Sequence, residues 1–196
     1  MTDLAERWPL AELAEVRDDL LAAYHDPTRG YHDGLHLAEV LDRLSELAGA
    51  GAPFDPVVAG LAAWFHDAVY DGERDAEERS AVWAEEALVG TPYADEVARL
   101  VRLTETHDPA ADDPAGQALC DADLAILASP SERYDAYVTG VRQEYAYLSD
   151  PDFEAGRAAV LRGLAGRERL FHTGYGRDRW EPAARANLER ELAGLG

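Results

Sequence analysis

The chain has 196 residues, is 47% hydrophobic and carries a formal net charge of −21, which argues for a single domain over 1–196 with no nucleic-acid polymer as partner, since no basic cluster offsets the acidity. Every basic side chain is arginine and the single cysteine is Cys120, so Schiff-base chemistry, a phosphate-loop lysine, an internal disulfide and a paired-cysteine zinc site are all excluded. No run approaches the roughly 18 apolar residues of a membrane span, and the first residues mix acids with arginine unlike a signal peptide, so a cytoplasmic protein without a membrane partner is expected.

Apolar residues recur at three- and four-residue spacing, as in Leu35, Val40, Leu41, Leu44 and Leu47, and strand-type alternation is scarce. This predicts an all-α, single-domain bundle of about nine helices. In chain order they are expected at 4–24, 35–49, 55–70, 77–90, 92–106, 114–128, 130–148, 151–165 and 182–194. A capping residue followed by proline marks starts at Asp55-Pro56, Thr91-Pro92, Asp113-Pro114, Ser129-Pro130 and Asp150-Pro151. Ser129 also has Glu132 three residues on, the pattern of a capping box. Gly-, Pro- and Asp-rich segments between these helices read as loops and carry His25, His32 and His107.

The third predicted helix contains an anomaly. Its residues Val57, Val58, Leu61, Ala62, Trp64, Phe65, Ala68 and Val69 are apolar nearly all round, yet His66 and Asp67 sit among them. An ionised carboxylate withdrawn from water without a partner costs several kcal/mol, so Asp67 must protonate, pair or coordinate a cation. A metal ion would satisfy both side chains, which point about 100° apart around a helix. His36, thirty residues earlier, is the candidate from the preceding helix. On the far side, Asp121 and Asp123 interrupt another apolar helix.

These residues, together with the blocks YHDGLHLAEVL, WFHDAVYD, EERSA, THD, DADLAIL, VRQEYAYL and RANLEREL, resemble the HD superfamily of helical metal-dependent phosphohydrolases over about residues 31–193. The branch that it resembles often has asparagine where this chain has Asp33. The resemblance implies His36, His66, Asp67 and Asp123 as ligands of one divalent metal ion, of Mn, Fe, Co, Ni, Zn or Mg type. Asp123 is preferred to Asp121 because HD ligands follow a small residue and precede an apolar helical continuation, as in Ala122-Asp123-Leu124. Two-metal members generally have two more histidines before the last aspartate, and here only His107 lies there.

The implied activity is hydrolysis of a small phosphorylated substrate by metal-activated water. His32 and His107 are expected at the cavity mouth against substrate phosphate, and Arg142, if it turns inward, is the phosphate clamp. Asp67, Glu77, His32 and Arg142 are the candidates for catalysis, although Glu77 also belongs to an acidic run that reads as a hydrated surface. Two other functions use similar residues, a non-catalytic metal- or nucleotide-binding regulatory protein and a di-iron HD oxygenase. The amphipathic terminal helices are also compatible with a homodimer.

Overall fold

The computed structural model describes residues 4–195, and the predicted helical spacing is realised there as ten α-helices without a strand among the described residues. They are α1 (Ala14–Tyr24), α2 (Gly34–Gly49), α3 (Pro56–Phe65), α4 (Ala76–Ala87), α5 (Ala94–Leu103), α6 (Pro114–Leu124), α7 (Ser131–Glu144), α8 (Asp150–Ala165), α9 (Gly174–Arg179) and α10 (Glu181–Gly194). Short 3-10 turns occupy Leu4–Arg7 and Ala125–Ala128. No described helix is long and apolar enough to cross a membrane.

Several boundaries differ from expectation, and three differences have local reasons. The first predicted helix is broken between the 3-10 turn and α1, where Pro9 intervenes and Leu13 takes a left-handed φ of 61°. The third stops at Phe65, so His66 caps α3 and Asp67 lies in the turn beyond it. The short helix α9 was not predicted, because six residues give too little apolar periodicity to register.

Capping follows side-chain geometry more closely than the proline signal. Asp55 accepts from the backbone N–H groups of Val57 and Val58, and Asp113 accepts from Gly116. The cap of α8 is Ser149 instead of Asp150, α5 starts at Ala94 without a side-chain cap, and Ser129 forms no capping box with Glu132. Asp33, where the resembled branch has an amide, caps α2 by accepting from Leu35 and His36. Such a cap is worth about 1 kcal/mol, and here it fixes the first turn, which carries His36.

The central element is α3, in which every residue from Ala59 to Phe65 is buried. It packs against α2, α5 and α6, and α2 also packs on α6. Trp64 meets Trp8 edge-on at 5.3 Å between centroids, and full burial of side chains such as Trp64 and Phe65 stabilises the fold by roughly 2–3 kcal/mol each. Buried side chains from α1 to α10 join in one cluster. The loop before α2 meets α7 backbone to backbone: a Cβ on Gly30 or on Gly140 would collide with the carbonyl oxygen of the other. Only glycine allows that approach, and it brings the end of α7 beside the loop that carries His32.

Candidate metal centre

Three mutually packed helices deliver the ligand-type residues. His36 comes from the first turn of α2, His66 and Asp67 from the end of α3, and Asp123 from the last turn of α6. The C-terminal ends of α3 and α6 therefore finish at one place, beside the N-terminal turn of α2. His36, His66 and Asp67 form a group that could hold a metal ion, with one ligand atom of each within 4.8 Å of the others.

The distances are compatible with ligation of one ion. His36 Nε2 lies 3.1 Å from His66 Nε2 and 3.3 Å from Asp67 Oδ2, and His66 Nε2 lies 3.1 Å from Asp67 Oδ2. Asp123 Oδ1 stands 3.1 Å from His36 Nε2 and 3.7 Å from His66 Nε2. Ligand atoms bonded to one ion at about 2.1 Å stand about 3.0 Å apart when cis in an octahedron and about 3.4 Å apart in a tetrahedron. The donors of His36, His66 and Asp67 fit either, and Asp123 Oδ1 lies beside both imidazoles. His66 Nδ1 is 2.7 Å from Ala63 O, and because a carbonyl only accepts, Nδ1 carries a proton, which leaves Nε2 as the nitrogen available to an ion. His36 Nδ1 is buried without a hydrogen-bond partner, so that ring is held by packing against Tyr31 at 4.6 Å between centroids.

The charge balance also suits a cation. Burial pushes the His36 and His66 imidazoles down, but the Asp67 and Asp123 carboxylates outweigh it, and both end above their ordinary value of 6.5. Burial pushes both aspartates up, and the surrounding histidines reverse it, so that Asp67 and Asp123 lie well below 3.8. Two nitrogen atoms 3.1 Å apart need a proton or an ion between them.

A pH dependence follows for the metal-free protein. Imidazoles whose folded-state pKa is raised contribute stability that is full below 6.5 and lost as pH rises through the raised value. The depressed carboxylates contribute above 3.8 and lose that contribution on acidification. Thermal unfolding in chelator should therefore show Tm falling as pH rises beyond neutrality. Saturating metal, which binds the neutral imidazoles, should reduce that fall; identical slopes with and without metal would contradict the assignment.

Around this group the structure adds residues that the sequence did not single out. Arg29 is buried, and it donates from Nη1 to His32 O at 2.8 Å and Asp67 O at 2.7 Å and from Nη2 to Ala68 O at 2.9 Å. It thus ties the His32 loop to the turn after α3. The Asp67 N–H donates to Tyr24 Oη, and the Val69 N–H to Ser80 Oγ. Glu144, whose side chain is only 4% exposed, accepts the N–H groups of Gly30, Tyr31 and His32 on Oε1. Its Oε2 lies 2.8 Å from His32 Nδ1. Burial works against its ionisation, but His32 and these N–H donors hold its carboxyl below the ordinary range.

The remaining candidates divide. His32, Glu77, His107 and Asp123 line one cavity of about 680 Å³. His32 stacks on Tyr70 at 3.9 Å. His107 takes a left-handed φ of 50° and places Nε2 2.7 Å from Asp123 Oδ2, so it orients that carboxylate. The expected inward Arg142 is corrected: its guanidinium donates to Tyr145 O, Leu148 O and Asp150 Oδ1, which closes the end of α7 and leaves it outside the cavity wall. Glu144, two residues on, turns the other way. Asp121 also points elsewhere, accepting from the N–H groups of His172 and Thr173 at 2.7 and 2.8 Å. Burial, only partly offset by those donors, pushes its carboxyl up to about 6.

The fold and this cluster define an all-helical protein with a buried His/Asp group able to hold a metal ion. No protein-family model, curated protein or solved structure matches the chain.

Proposed function

We propose that the protein is a metal-dependent phosphohydrolase that uses water to cleave a phosphate ester or anhydride of a small metabolite or nucleotide. The observation that carries this reading is the convergence of His36, His66 and Asp67, with Asp123 facing both imidazoles, where Asp123 also forms part of the wall of a 680 Å³ cavity. The order of these residues along the chain is that of the HD phosphohydrolases that the sequence blocks resemble. A divalent cation held by the four side chains supplies a Lewis acid for a phosphate oxygen and a lowered pKa for water.

The chain's own groups then have distinct tasks. Glu144 fixes the proton on His32 Nδ1, so His32 Nε2 is the atom that meets phosphate or exchanges a proton with it. Glu77 has no hydrogen-bond or ion-pair partner among the described residues and lies in the cavity wall, which suits it to take a proton from water or return one to the leaving group. His107 holds Asp123 through Oδ2 and leaves Oδ1 for the centre. With His107 so engaged, one cation is favoured over two. The field of a −21 chain opposes anions, so substrate capture depends on this centre.

The test is phosphate release from a panel of monoesters and anhydrides with Mn, Fe, Co, Ni, Zn or Mg added to chelator-treated protein. Release is expected with at least one metal and none in chelator. Ligand binding without release under any metal would support the regulatory binding protein, and an iron-dependent absorption band with oxygen consumption would support the oxygenase.

A further inference from the structure

We propose that the substrate is a phosphate monoester whose remaining part is uncharged and largely apolar, lying along one face of α8; this rests on the phosphohydrolase reading. Gly156, Val160 and Gly163 recur at the spacing of one helical face and all line the cavity that contains Asp123. A Cβ added to either glycine would meet nothing within 4 Å, and neither has a positive φ. Glycine weakens a helix interior relative to alanine, so two glycines without a steric or conformational reason leave room instead. Val160 between them is 56% exposed, an apolar side chain facing open space.

The opposite side of the cavity supplies a polar anchor. Tyr31 is 5% exposed, its hydroxyl is buried without a hydrogen-bond partner, and it lines the same space. Ordinarily a buried phenol finds a partner, and an ester oxygen or phosphate oxygen provides one. No cation is free for a second anionic group. Arg157 is spent on Glu191 and on Tyr137 Oη, and Arg167 on the carbonyls of Thr106 and His107. A volume of about 680 Å³ falls within the range of small-molecule sites, roughly 300–1,000 Å³. These features disfavour a nucleoside polyphosphate and favour an aliphatic or aromatic alcohol esterified once.

The experiment compares methyl, butyl, hexyl and octyl phosphate with metal-loaded wild-type protein and with Gly156→Leu and Gly163→Leu. In the wild type kcat/KM should rise with chain length, by up to about fourfold per buried methylene. Each leucine variant, with its fold checked by circular dichroism and metal content, should lower the octyl-to-methyl ratio by about tenfold or more. Efficiency independent of chain length, or a ratio untouched by both leucines, would overturn the inference while leaving the hydrolase intact. If none of these esters is cleaved, the hydrolase reading is decided by the wider panel of esters and anhydrides, and calorimetry with alkylphosphonates decides the inference separately. Binding that tightens with chain length and is lost in the leucine variants would sustain it, and binding indifferent to both would end it.

Discussion

His66→Ala is expected to yield a folded protein that retains no stoichiometric divalent metal after gel filtration, as read by elemental analysis, and that releases no phosphate from any substrate the parent cleaves. The expectation follows from the geometry: His66 Nε2 lies within 3.7 Å of the three other donor atoms, so its loss opens one side of the group and leaves His36 as the imidazole between Asp67 and Asp123. Packing around α3 persists, because Ala59 to Phe65 remain buried. One equivalent of tightly held metal in the folded variant would show that the centre lies elsewhere.

Glu144→Ala should have the largest effect on stability, about 3–5 kcal/mol in urea unfolding followed by far-UV circular dichroism. A loss of that size is a large share of the roughly 5–15 kcal/mol available to a domain. Three backbone N–H groups and His32 Nδ1 lose their acceptor together. Glu144→Gln should lose less, because its amide oxygen can still accept the three N–H groups, while its NH2 cannot accept from His32. Equal stability of the alanine variant and the parent would remove Glu144 from its bracing role.

The helical class was legible because the apolar spacing is regular from α2 onward: Val40, Leu41, Leu44 and Leu47 are buried as that spacing requires, although Leu35 in the first turn is 46% exposed. The His/Asp group was legible because ligand-type residues stood out in apolar surroundings. The error about α3 came from treating Ala68 and Val69 as helical by composition, whereas the turn after His66 is held by tertiary partners, Arg29, Tyr24 and Ser80, which no local pattern reveals. Arg142 and Glu144 show a signal that was present and unused. Tyr137, Val141 and Glu144 lie four and three residues apart on one buried stripe, so position along the helix favours the acid, and not the arginine, as the residue that turns in. Arg29 had no such signal, since its loop has no period.

The engagement of Asp121 with His172 and Thr173 has a consequence for biosynthesis. A buried carboxylate without donors is strongly unfavourable, so the end of α6 cannot settle until a segment some fifty residues downstream arrives to receive it. Asp123 sits only two positions further along that helix end. On a ribosome, where earlier portions of a chain emerge first, the end of α6 that carries Asp123 would therefore settle only after residues 172 and 173 had emerged, and any ion held there would be taken up late.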